Sequence, residues 1–167
     1  DLGGGLGVPY DRGQPNPPTP AEYGRMVKAV TAGWDVRLVF EPGRLIVANA
    51  GVLLSRVVRV KPGARHDWVI VDAAMNDLIR AALYDAYHAI EAVRPTGRIR
   101  TANVVGPVCE SGDTFAMARK MDEVAEDDLV IFRTAGAYGA AMSSCYNSRP
   151  LTPEVLVDGR NWRLVRR

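Results

Sequence analysis

Apolar positions along the chain follow two rhythms. Tyr23, Met26, Val27 and Val30 recur at spacings of three and four, which puts them on one face of a helix. Its start is marked by Thr19-Pro20-Ala21-Glu22: Thr19 suits the N-cap, Pro20 the first helical position, and Glu22 closes a capping box. Gly33 is placed to stop the helix. Residues 36–40, Val-Arg-Leu-Val-Phe, then read as a buried strand that runs into Glu41-Pro42-Gly43-Arg44. Ahead of the helix lie Asp1-Leu2-Gly3-Gly4-Gly5-Leu6-Gly7 and a proline-rich loop over residues 14–20. Residues 1–44 therefore read as loop, helix, strand and loop, one unit of a βα architecture.

From Leu45 the rhythm changes. Residues 45–60 and 68–72 are rich in Val, Ile and Leu without helical spacing and read as strands. Residues 76–92 turn helical, with Leu78, Ala82, Ala86 and Ile90 four apart. Residues 99–108 and 128–133 read as extended, and residues 135–142 as a short Gly- and Ala-rich helix. Residues 154–157 and 161–165 flank Asp158-Gly159, the signature of a two-residue hairpin turn. The expected class is α+β, a β-rich domain over 46–167 with a sandwich- or barrel-like sheet. It is preceded over 1–45 by the last βα unit of an incomplete (β/α)8 barrel.

Composition narrows the function. With 21 Lys+Arg against 19 Asp+Glu the net charge is +2, and no basic stripe suggests a nucleic-acid footprint. The longest apolar stretches fall far short of a membrane span. Two cysteines are too few for a disulfide scaffold and suit a reducing compartment, so a cytoplasmic protein is expected. His66 and His88 have no metal-spaced partners, and His88 is expected on the outward side of its helix. No metal site is expected.

Four groups can carry chemistry. Gly3-Gly4-Gly5-x-Gly7 can form a backbone nest for an anion, or only a tight turn; its spacing fits neither a dinucleotide fingerprint nor a P-loop. Glu41-Pro42-Gly43-Arg44 ends a strand of a βα unit, at the edge where barrel enzymes place catalytic groups; it can also be a charged turn. Two anion-friendly loops on neighbouring strands would open on one face and favour a phosphorylated ligand. Cys109 lies beside a carboxylate in Cys109-Glu110-Ser111-Gly112-Asp113, a setting for a reactive thiol or for a structural one. Cys145 has no such setting and is taken as structural. Arg80 and Tyr84, four apart, share a helix face, where an arginine can grip a carboxylate or merely lie at the surface.

These segments occur in series in one family. With Val71-Asp72-Ala73-Ala74-Met75-Asn76-Asp77-Leu78-Ile79-Arg80-Ala81-Ala82-Leu83-Tyr84 and Gly136-Ala137-Tyr138-Gly139 added, the chain resembles the fold-type III pyridoxal-phosphate decarboxylases. Within them it is similar to the diaminopimelate decarboxylases. The resemblance implies decarboxylation of meso-2,6-diaminopimelate to L-lysine, with pyridoxal 5'-phosphate as cofactor. It implies that Gly5 and the Glu41-Pro42-Gly43-Arg44 turn bind that cofactor, with Gly43 and Arg44 at the phosphate and Glu41 at the pyridine nitrogen. Arg44, Arg80 and Tyr84 would bind the non-reacting carboxylate, Glu110 the distal amine, and Tyr138 both cofactor and substrate. Cys109 would return a proton to the α-carbon. Cys109 and Glu110 would reach into the partner subunit's site, so a homodimer is implied.

The family's Schiff-base lysine lies upstream of the glycine loop, and Lys28, Lys61 and Lys120 fall in segments that match no such motif. The chain is therefore expected to be a C-terminal fragment, inactive alone. An ornithine- or arginine-type decarboxylase of the same fold is the rival within the class, although a carboxylate-gripping arginine would find nothing to hold on ornithine. A non-catalytic decarboxylase-like binding protein, or an independent β-rich interaction domain, is the rival outside it.

Overall fold

The computed structural model describes residues 1–166 apart from Arg12 and Gln14; the start of the expected proline loop at Gln14 thus lies outside the described residues. Helix α1 (Pro20–Val30) forms where its caps place it. Thr19 Oγ1 accepts from the Glu22 N–H at 3.3 Å, and the Glu22 carboxylate accepts from the Thr19 N–H at 2.8 Å. The helix ends at Thr31, whose N–H and hydroxyl both donate to the Val27 carbonyl; Gly33, at φ +82°, lies two residues further on. Residues 36–40 form no strand and belong to no sheet, and Val36, Val39 and Phe40 are exposed, contrary to the buried strand expected there. Their backbone nevertheless runs parallel to the first residues. The Leu2 N–H donates to Val39 O at 3.0 Å and the Glu41 N–H to Gly3 O at 2.8 Å. Helix α1 lies in the connection between these two segments, and neither segment is a strand of a sheet.

The stretch expected as one strand over 45–60 begins as helix. Helix α2 (Arg44–Val47) and a 3₁₀ turn (Ala48–Ala50) precede strand β1 (Leu53–Lys61). Then come β2 (Asp67–Val71), α3 (Arg80–Tyr84), β3 (Ile90–Ala92), β4 (Ile99–Val105), β5 (Thr114–Asp122) and β6 (Leu129–Phe132). A 3₁₀ turn at Ala140–Met142 is what remains of the helix expected over 135–142. The six strands form one sheet in the order β3-β6-β1-β2-β4-β5, antiparallel except for β2 with β4. The sheet curls until its edges approach. Arg119 of β5 donates to the carbonyl of His88, just ahead of β3, at 2.8 Å. Val57, Val71, Val104, Val130 and Phe132 fill its interior, each fully buried, with the Phe115 ring tilted against that of Phe132, centres 4.5 Å apart. Strand alternation explains this: in β6, Val130 and Phe132 point inward while Leu129 and Ile131 are half-buried.

The helix expected over 76–92 is the largest correction. Only Arg80–Tyr84 is helical, because Asp85 turns left-handed at φ 50° and residues 90–92 pair with β6. Strand pairing overrides the four-residue spacing, and it carries His88 inward, to 3% exposure, instead of outward. At the chain's end β7 (Glu154–Asp158) and β8 (Asn161–Arg166) form the expected hairpin. Asp158 pairs with Asn161, so the loop is Gly159-Arg160, one residue beyond the expected turn; Gly159 at φ +59° takes the first central position.

Candidate functional site

The glycine loop and the Glu41 turn meet where the two parallel segments end. Gly3 and Gly5 take left-handed φ values of +66° and +91°, and a Cβ on Gly4 would lie 2.5 Å from the Glu41 carbonyl oxygen. At Gly4 no side chain can be accommodated this close to the neighbouring turn. Gly4, Gly5, Gly7, Glu41, Gly43, Arg44, Tyr10 and Tyr138 line a cleft of about 550 Å³, a size suited to a small ligand. Pro42 connects two lining residues without lining the cleft itself.

Three segments are seated together by a small buried cluster of Val8, Ala48 and Ala137, against which Tyr10 and Leu45 pack. The Gly136 N–H donates to Ala48 O at 3.0 Å and the Ala135 N–H to Gly51 O at 2.9 Å. Tyr138 thereby stands beside Arg44, with φ at 60°, an uncommon backbone conformation for a bulky residue. The Arg44 guanidinium lies 5.1 Å from the Tyr138 ring centre and 5.7 Å from that of Tyr10, and Arg44 Nη1 donates to the Tyr10 hydroxyl at 3.1 Å. Arg80 approaches the same two rings from α3, 4.8 Å from the centre of Tyr10 and 5.9 Å from that of Tyr138.

Arg80 is only 7% exposed, yet among the described residues neither it nor Arg44 forms an ion pair with an acidic side chain. Its Nη1 lies 3.0 Å from His88 Nε2, and His88 Nδ1 lies 2.9 Å from the Arg133 carbonyl oxygen. Guanidinium and carbonyl assign the tautomer, since one can only donate and the other only accept. Nδ1 carries the proton and Nε2 accepts. Burial pushes the His88 pKa down, opposed by the bond to the Arg133 carbonyl and reinforced by the charges of Arg80 and Arg119. Two buried or half-buried cations around two tyrosines, neither ion-paired to an acid among the described residues, suit the binding of an anion.

Tyr84 is not drawn into this cluster. The helix is five residues long, and while Arg80 at its start is buried, Tyr84 at its end is 61% exposed. Cys109 and Glu110 are exposed on a second loop. That loop is closed by the Gly106 N–H to Asp113 O at 3.0 Å, and by the Asp113 carboxylate accepting from Val108 N–H and Met75 N–H, both at 2.7 Å. Burial raises the Asp113 pKa against the pull of these two N–H groups. Glu110 accepts from the Tyr146 hydroxyl at 3.3 Å, and its charge pushes that phenol upward. Among the described residues no hydrogen bond, ion pair or ring contact joins this loop to the arginine–tyrosine cluster. Cys145 is exposed too, so it is not a buried structural cysteine.

Sequence reasoning missed Tyr10 and His88. Tyr10 follows the glycine loop with no signal beyond its proximity, and the helical spacing over 76–92 pointed His88 the wrong way. Asp113, by contrast, closes a motif already singled out.

The chain matches the family described as pyridoxal-dependent decarboxylase, C-terminal sheet domain, over residues 10–136. It is 57% identical over 167 residues to a diaminopimelate decarboxylase of Zymomonas mobilis, covering 100% of this chain and 40% of that protein. It is 54% identical over 168 residues to one of Pseudomonas aeruginosa, again at 100% and 40%. Its structure superposes on diaminopimelate decarboxylase from Helicobacter pylori complexed with L-lysine with a TM-score of 0.90 at 39% identity, covering 98% of this chain and 40% of that one. The chain thus spans about 40% of the length of the relatives it matches. By its sheet and its sequence alike, it belongs to the pyridoxal-dependent decarboxylases and carries their C-terminal sheet domain.

Proposed function

We propose that this chain forms part of a cytoplasmic, pyridoxal-phosphate-dependent enzyme that decarboxylates meso-2,6-diaminopimelate to L-lysine. The observation that carries the reading is the pair of guanidiniums, Arg44 and Arg80, set on two tyrosine rings without an acidic partner. A substrate with a carboxylate at its non-reacting end supplies the missing charge. An ornithine substrate does not, so the rival within the class lacks this support. The names of the relatives agree with the reading.

The cleft fits the cofactor. A glycine loop that approaches Glu41 too closely at Gly4 for a side chain and the Gly43-Arg44 backbone at the start of α2 suit a phosphate, with Gly5 at the open side of the loop. Glu41 is the carboxylate available to hold a proton on the pyridine nitrogen, and Pro42 fixes the turn between it and Gly43. When bound, the cofactor supplies the electron sink for the pair left behind as CO₂ departs. Arg44 and Arg80 bind the distal carboxylate, Tyr138 orients cofactor and substrate, and Glu110 receives the distal amine. Cys109 Sγ–H delivers a proton to the α-carbon and its thiolate is reprotonated from solvent. The exposure of Cys109 and Glu110, and their separation from the arginine–tyrosine cluster, support a homodimer in which they serve the partner's site. The two backbone hydrogen bonds that run residues 1–3 alongside residues 39–41 support residues 1–45 as part of a cofactor-binding barrel, and the six-stranded sheet supports 46–167 as the sheet domain.

The test is Arg80→Ala in the protein as its gene encodes it, assayed for CO₂ and L-lysine formation. Losing a charge-assisted contact worth about 1.5–3 kcal/mol should raise KM for diaminopimelate by ~10–100-fold. An unchanged KM refutes the role, and absence of any decarboxylation in the parent protein favours a non-catalytic binding protein.

A further inference from the structure

His88 takes no part in the roles assigned above, yet it is built in on every side. Its Nδ1–H is held by the Arg133 carbonyl at the end of β6, and its own backbone carbonyl is held by Arg119 of β5. The Tyr10 ring meets it edge-on at 5.4 Å. With both ring nitrogens engaged and 3% exposure, it has no path to act as an acid or base on a substrate. What it does offer is one acceptor lone pair, on Nε2, aimed at Arg80 Nη1.

A guanidinium recognises a carboxylate through two N–H groups in one plane, so its roll about the side-chain axis decides whether it can grip. Arg80 Cζ lies over the Tyr10 ring, 4.8 Å from its centre, and Nη1 is tied to His88. Those two contacts restrain the guanidinium and leave its remaining N–H groups for a ligand. Resting on the reading of Arg80 given above, we propose that His88 is a positioning residue for substrate binding: its neutral imidazole orients the Arg80 guanidinium toward the distal carboxylate and thereby sets specificity for substrates that have one.

The charges around His88 agree. Arg80 faces it from α3, Arg119 from β5 and the Arg133 carbonyl from the end of β6, the Arg133 side chain being paired with Glu91, while Tyr10 covers it from the N-terminal loop. A proton on Nε2 would remove the acceptor and set an imidazolium against Arg80. The carboxylate grip is therefore strongest with His88 neutral and weakens toward acid pH.

Equilibrium binding to the holoenzyme separates the outcomes, using two probes without turnover: L-lysine, which retains the non-reacting carboxylate, and 1,5-diaminopentane, which lacks it. His88→Asn keeps an amide near the Arg133 carbonyl but cannot reach Arg80, whereas His88→Gln places an acceptor near the Nε2 position. The expected result is about tenfold weaker L-lysine binding in His88→Asn, near-normal binding in His88→Gln, and unchanged diaminopentane binding in both. KM for diaminopimelate should follow L-lysine affinity while kcat stays within about twofold, and the acid limb of the KM profile should vanish in His88→Gln. Equal weakening of both probes would show a merely structural histidine and overturn the proposal. So would unchanged L-lysine binding in His88→Asn while Arg80→Ala weakens it, which leaves the Arg80 role standing. Unchanged binding in Arg80→Ala would overturn the Arg80 role itself.

Discussion

The two candidate regions of this chain are built on opposite plans. Arginines and tyrosines from four segments converge on a partly buried socket, and each is fixed by several contacts: Arg80 by His88 and Tyr10, Arg44 by the Tyr10 hydroxyl and Tyr138. The Cys109–Glu110 loop comes from a single segment, is fixed mainly by one buried carboxylate, Asp113, and holds its reactive groups out in solvent. The first plan suits binding, where a preorganised charge must wait in a fixed place. The second suits delivery, where a short loop presents a proton donor to something outside the fold.

That contrast can be broken by experiment. Cys109→Ala should lower kcat by ~10²–10⁴-fold, the usual worth of a positioned proton donor, with cofactor titration unchanged. A loss confined to KM would place the thiol in the binding plan instead. Gly106→Ala should come next: its Cβ would sit 2.4 Å from both Asp113 carboxylate oxygens. Displacing that carboxylate should cost about 1–3 kcal/mol in denaturant unfolding and reduce kcat, while L-lysine affinity is retained. A fall in affinity of the same size would show that the two regions are coupled.

A smaller effect sharpens the socket side. Folding lowers the His88 pKa below its ordinary 6.5, so the folded chain binds fewer protons than the unfolded one as pH falls. Stability from this group is fully present above that value and is lost as pH falls toward the folded pKa. Unfolding measured against pH should show this loss, and His88→Gln should remove it. Least of all, Glu123→Gln removes the negative charge paired with Arg98 and Arg100, 2.7 Å away in the second pair, at exposed arginines outside both regions. It should destabilise slightly at low salt, not at high salt, with kcat and KM unchanged.

Local chemistry was readable wherever the residues that decide it are neighbours. The Thr19–Glu22 capping box, the 154–166 hairpin and strands such as β2 and β6 follow from caps, turns and β-rich runs. The glycine loop and the Glu41 turn were recognisable as adjacent anion-friendly loops, and two backbone hydrogen bonds now join them. The expectation over 76–92 failed because four-residue spacing was its sole support, and pairing of Ile90 with Phe132 outweighs it. The 36–40 segment looked buried because Val, Leu and Phe commonly are, but it forms no sheet ladder and leaves those residues exposed.

The amino-acid sequence by itself determined the family, the two loops able to face a phosphate, and the cysteine beside its carboxylate, because these reside in contiguous motifs. Only the tertiary structure decided that Arg44 and Arg80, 36 positions apart, share the rings of Tyr10 and Tyr138. It alone turned His88 inward against Arg80 and left Tyr84 outside. The physical reason is the same in each case. A buried charge is placed by the neighbours that compensate and orient it, and those neighbours are assembled by strand pairing and packing across the fold, not by spacing along the chain.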